Sequence, residues 1–233
     1  MPYRRLPNTD AARLRALKIA FEKGKELPPF KLAFSQITLQ KVQSFLSQFE
    51  KAMQESRQAY AKQVEKSKDY AAVVKKARIY ISHFIQVINM AIIRGDLPSS
   101  ERKYYGLQDY SGKLPIFNTE ADLIKWGEKL IHGETIRSME ARAPITNPTI
   151  AVVKVRYEKF LEAYKFQKML QKNYHRTQER LEELRELANS IIVDIWNEVE
   201  ETYKDEPDEK RREWAKQYGI IYVFRKNELV KKE

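Results

Sequence analysis

The chain has 233 residues, enough for one large domain or two small ones, and 42% of them are hydrophobic, enough for a real core. Cysteine is absent, which excludes disulfides, thiolate metal sites and cysteine catalysis, and the seven glycines are too few and too scattered for a sheet-rich fold. The net charge of +11 admits a polyanionic partner, but no segment is densely basic without acidic neighbours, which favours a solvated surface of lysine-flanked helices.

In chain order, the arm Tyr3-Arg4-Arg5-Leu6-Pro7 comes first. Asn8 or Thr9 then caps a short helix to about Lys23, with Leu14, Leu17 and Phe21 on its apolar face. Nothing at this end reads as a signal peptide.

A second helix is expected from about Thr38 to Lys66, carried by Val42, Phe45, Phe49, Met53 and Tyr60. A third runs from Tyr70 to Ile93. There Val74, Ile81 and Ile88 recur every seven residues, as do Tyr70, Ala77, Phe84 and Ala91. Polar residues at Ser82, His83, Gln86 and Asn89 interrupt its apolar run, so it is no membrane span. No Gly or Pro separates these two helices. A turn is nevertheless expected near residues 66–69, because one helix over 38–94 would find little to bury against. Residues 36–94 thus read as a first long hairpin.

Residues 95–146 read as an irregular stretch followed by a helix. Asn118 or Thr119 caps that helix, which carries Leu123, Trp126, Leu130 and Ile131 and runs to about Ala143. Pro144 to Pro148 is the clearest internal break, with Asn147 as cap and Pro148 in the first turn of the next helix. Residues 147–204 read as a second long hairpin with a turn near residues 173–177. Its two faces are Ile150, Val153, Tyr157, Phe160 and Tyr164, then Leu181, Leu184, Ala188, Ile195 and Val199. Residues 205–233 form a short charged helix opened by Pro207, then a β-branched and aromatic tail.

A shift of 111 residues brings Val42 onto Val153, Phe49 onto Phe160, Ala77 onto Ala188 and Ile81 onto Ile192. Both halves also end in Tyr-Gly-aliphatic, at Tyr105-Gly106-Leu107 and Tyr218-Gly219-Ile220. The expected fold is all-α: a single domain over 1–233, a four-helix bundle built from two long helical hairpins, with shorter flanking helices and a short extended C-terminal tail.

The stretches YRRLPNTDAARLRALK, NTEADLIKWGEKLI and YGIIYVFRKNE resemble a family of uncharacterised bacterial helical-bundle proteins, over nearly the full length. The resemblance implies a helical fold and brings no activity or functional residue with it.

Enzyme signatures are missing from the sequence. A di-iron bundle needs Glu-x-x-His pairs and none occurs; His83, His132 and His175 fall on three different predicted segments. Glu128 and His132 are spaced as an ordinary surface pair. The glycines at 106 and 112 before Lys113 are one residue too far apart for a P-loop, which also needs a hydroxyl here. No catalytic residue, cofactor or metal is assigned.

The expected role is a non-enzymatic structural or protein-interaction module in the cytoplasm, associating with itself or with another protein. The alternative is nucleic-acid binding, because cations interleaved with aromatics suit phosphates and unpaired bases. Its candidate residues are Arg4 and Arg5 in the arm; Arg102, Lys103, Tyr104 and Tyr105; Lys154, Lys165, Lys168 and Lys172 on one helix face; and Arg225 and Lys226 in the tail.

Overall fold

A computed structural model of the chain describes residues 3–224. The fold is all-α, with one two-stranded antiparallel ribbon. In order these are β1 (Tyr3–Arg4), α1 (Asp10–Glu26), α2 (Gln36–Arg94), α3 (Glu120–Met139), α4 (Ile150–Thr202), α5 (Asp208–Lys216) and β2 (Tyr222–Val223). Tyr3 faces Val223 and Arg4 faces Tyr222 across the ribbon.

Neither expected turn forms. The segment given as a first hairpin is one 59-residue helix, and the second is one 53-residue helix. Residues 61–72 are rich in Ala, Lys, Gln and Glu, which favour helix, and Lys66 sits 3.8 Å from Asp69 three residues on. At the other site, His175 lies 3.2 Å from Glu179 and Arg176 donates to Asn173 (3.2 Å), both along the helix. A helix of this length does find burial, because α4 shares the core with α2 in each of the chain's compact units.

The chain divides into two compact units. The first takes residues up to Tyr60 together with those from Asn173; the second takes residues 61–172. In the first unit α2 runs antiparallel to α4: Tyr60 meets Tyr174 with ring centroids 5.5 Å apart, and Gln178 donates to Ser56 (2.6 Å). Its core gathers Leu17 and Ala20 of α1, Phe45 and Phe49 of α2, Ile192 and Trp196 of α4, and Tyr218 and Ile220 beyond α5. In the second unit the core gathers Ile81, Phe84 and Ile88 of α2, Leu123, Trp126 and Leu130 of α3, Val153 and Phe160 of α4, and Tyr105 and Leu107. Each large apolar side chain buried in these cores contributes roughly 1.5–3 kcal/mol.

The residues that coincide at a shift of 111 therefore have like places in different units. Phe49 and Phe160 are both fully buried, as are Ile81 and Ile192. The short helices correspond too. Thr9 and Thr119 cap α1 and α3, and Thr119 makes a full capping box with Asp122. Gly106 (φ 65°) and Gly219 (φ 82°) both adopt the left-handed backbone that glycine allows.

Three ends differ from expectation. Gly24 lies inside α1, which continues to Glu26, and α3 stops at Met139. Helix α4 starts at Ile150, where the Thr149 carbonyl accepts from the amides of Val152 (3.1 Å) and Val153 (3.2 Å). Asn147 has φ 55°, and the capping position needs an extended backbone.

Candidate interaction surface

The arm cations are partly committed. Arg4 donates to Asn197 (2.8 Å) and pairs with Glu200 (3.3 Å), while the Arg5 amide bonds the Ile221 carbonyl (2.8 Å) and its side chain is exposed. Arg225 and Lys226 lie outside the described residues. In the second unit Arg102 donates to Asn89 (3.3 Å), and Lys103 covers the Tyr104 ring at 4.9 Å. The Tyr104 hydroxyl donates to Glu140. Tyr105 is 1% exposed, so its ring is closed to a base. These tyrosines anchor a loop onto the helices; they are not an open stacking row.

Tyr105 instead belongs to a buried polar cluster. Its hydroxyl donates to Glu134 and accepts from Arg137 (3.0 Å). Arg137 also donates to Glu134 (3.0 Å), to Glu101 and to the Ala143 carbonyl (3.1 Å). Arg142 reaches in from the rim to Glu101 (3.0 Å), and Glu134 takes the Ile145 amide (2.9 Å). Burial, then the bond to Glu134, pushes the Tyr105 hydroxyl well above its ordinary value. Burial lowers Arg137, but Glu101, Tyr105 and Glu134 outweigh it and fix the guanidinium as charged. Glu101, Glu134 and Arg137 are all buried and mutually satisfied, so the cluster is a clasp holding residues 99–105 and 143–145 onto α3. Glu134 and Arg137 stand three apart on α3, but Glu101 and Tyr105 lie 36 and 32 residues before Arg137, with no local spacing to reveal them.

The lysines of α4 lie in the open. Lys154, Lys165, Lys168 and Lys172 are all exposed; Lys154 is 3.9 Å from Glu158, and Lys168 lies over the Tyr164 ring at 5.5 Å. Next to them runs a stripe the sequence reading passed over. Val152 is 40% exposed, Val155 48%, Phe166 41% and Met169 56%. Lys159 and Glu162 fill the middle of this stripe, both exposed and without an ion pair among the described residues. The spacing 152, 155, 159, 162, 166, 169 alternates three and four, the seam of a coiled coil. It lies across the helix from Val153, Tyr157 and Phe160, which enter the core. A heptad count started at Val152 rather than Val153 would have found it.

The matching stretch of α2 gives the contrast. A shift of 111 maps the six positions onto Lys41, Ser44, Gln48, Lys51, Glu55 and Gln58, every one polar. The two stretches hold the same place in their units, and only the one on α4 has an apolar outer face.

No family model, curated protein or solved structure matches this chain. Among the described residues no helix is long and apolar enough to cross a membrane, and no group of three or more His, Asp or Glu stands as a metal site would require.

Proposed function

We propose that the protein is a non-enzymatic interaction module that docks a helix along the outer face of α4. The observation that carries this is the exposed seam of Val152, Val155, Phe166 and Met169, set where the matching face of α2 is polar. Exposed apolar side chains repeating along one line of a helix, with charges between and beside them, are the pattern a docking helix reads. The cytoplasm is the compartment this reading assumes.

The test uses the absence of cysteine. A photocrosslinker on Val155→Cys, irradiated in an extract of the cells that make the protein, is expected to give a discrete adduct. Phe166→Glu should abolish it, and the same probe on Lys62→Cys of α2 should not give it. No adduct, or the same adducts from both positions, overturns the reading.

Single-stranded nucleic acid is the second reading, favoured by the open lysines beside the seam. Lys165 and Lys172 have no ion pair among the described residues. Retardation of a single-stranded oligonucleotide at low salt, falling steeply as salt rises and lost when Lys154, Lys165, Lys168 and Lys172 become Gln, would establish it in place of helix docking.

A further inference from the structure

We propose that the occupant of the α4 face is a second copy of this chain, paired antiparallel about a two-fold axis between Lys159 and Glu162. This rests on the helix-docking reading above and names its partner.

The argument is the order of residues along the seam. Read forwards it is apolar, apolar, positive, negative, apolar, apolar. Read backwards, the apolar ends coincide and the charges exchange sign. A strip with that property complements a reversed copy of itself, which is what a two-fold interface requires. In the reversed register Val152 faces Met169 of the second copy, Val155 faces its Phe166, and Lys159 faces its Glu162. Each layer joins a first seam position to a fourth one, as antiparallel coils do. The symmetry makes each contact twice.

The flanking charges follow the same register. Glu158 and Lys165 lie on the same edge of the seam, and the reversal sets Glu158 opposite Lys165 of the second copy. Lys165 has no ion pair among the described residues, and Glu158 holds only the exposed Lys154 at 3.9 Å. A parallel in-register pair does the reverse. It sets Lys159 on Lys159 and Glu162 on Glu162, so like charges repel in the middle of the seam. The apolar side chains therefore supply attraction, and the central charges choose direction and register. The strip spans only about 27 Å of helix, so the dimer is expected to be a weak one.

Sedimentation equilibrium on the full chain tests this, with circular dichroism to show that helix content is kept. The wild-type chain is expected to pass from monomer to dimer as concentration rises. Lys159→Glu places two glutamates face to face in both central layers and should weaken association about tenfold or more. Glu162→Lys should do the same with lysines. The double exchange, K159E with E162K, restores opposite charges and should return the dissociation constant to within about threefold of wild type.

Register has its own readout. V155C with F166C should form a disulfide-linked dimer on oxidation, whereas V155C alone and F166C alone should not. The two positions are about 16 Å apart along one helix, too far to bridge within a chain. A monomer up to about 1 mM, a double exchange that fails to restore association, or single cysteines that crosslink as well as the pair would each overturn the proposal. If the chain stays monomeric while the Val155 probe captures a protein of another mass, self-pairing falls and helix docking stands. If the probe captures nothing, both fall.

Discussion

Residues 36–60 of α2 and 150–172 of α4 hold the same structural place, one in each unit, and their inward faces agree closely. Val42 and Val153 are fully buried, and so are Phe49 and Phe160. Their outward faces part company: Lys41, Ser44, Gln48, Lys51, Glu55 and Gln58 on one, and Val152, Val155, Lys159, Glu162, Phe166 and Met169 on the other. A core position is constrained by the volume around it, so both stretches keep its residue type. An outer position is constrained only by what meets it, and the proposed partner would be what meets the strip on α4.

The same comparison extends to how each unit ties its loop to its short helix. Tyr105 and Tyr218 correspond, each one residue before a left-handed glycine. Tyr105 binds the buried Glu134 and Arg137, while Tyr218 accepts from the Ala33 amide at 3.3 Å and meets the neutral Tyr203. The second unit keeps its charges inside, with Arg137 1% exposed. The first keeps them at its rim, where Arg185 grips Asp10 with two bonds of 2.8 and 2.9 Å.

The largest expected effect comes from the buried cluster. Arg137→Met leaves the buried Glu101 and Glu134 without their shared cation, and should lower stability by about 3–5 kcal/mol in urea denaturation. Hydrogen exchange should show α3 opening first. If α1 opens first instead, the contrast between the units is wrong.

Two glycines inside short helices, one in each unit, come next. A Cβ on Gly133 would lie 2.4 Å from the Tyr104 carbonyl oxygen, which is backbone, whereas one on Gly24 would meet only the end of the Leu39 side chain. Gly133→Ala should cost about 1–3 kcal/mol. Gly24→Ala should stay within about 0.5 kcal/mol of wild type, because a better helix former offsets the shift of a flexible leucine. Equal melting temperatures for the two variants would remove the distinction.

The tyrosines give a smaller difference. Tyr105→Phe removes a bond to a charged group and should cost about 2 kcal/mol; Tyr218→Phe removes a neutral one and should cost about 1 kcal/mol. Parallel urea curves of the two variants test the order.

The smallest effect is set by pH. The Arg185 hydrogen bonds, with Arg13 behind them, outweigh partial burial and hold the Asp10 carboxyl below its ordinary value of 3.8. A depressed carboxylate contributes stability that is whole above the unfolded value and is lost as pH falls through the folded one. Asp10→Asn should therefore cost about 1 kcal/mol at pH 7 and flatten the fall in stability below about pH 4. An unchanged acid limb would show that the pair contributes nothing.

Much of this was legible from residues alone. The apolar periodicity of Val74, Ile81 and Ile88, the caps at Thr9 and Thr119, and the Tyr-Gly-aliphatic endings all report local geometry, and local geometry is written in neighbouring residues. Helix type and the core-facing side of each helix follow from that. The continuity of α2 and α4 was not legible, since whether residues 66–69 turn or run on depends on the helix lying beside them. The Glu101–Glu134–Arg137 clasp was hidden for the same reason: its members meet only once the fold has brought 99–105 onto α3. The stripe on α4 lay in plain view as letters, but a seam facing water and a seam facing a core read alike until the core has been filled by something else. Sequence thus determined which residues are apolar and at what period; tertiary structure decided which of those faces was left uncovered, because burial is a property of the neighbours a residue acquires and not of the residue itself.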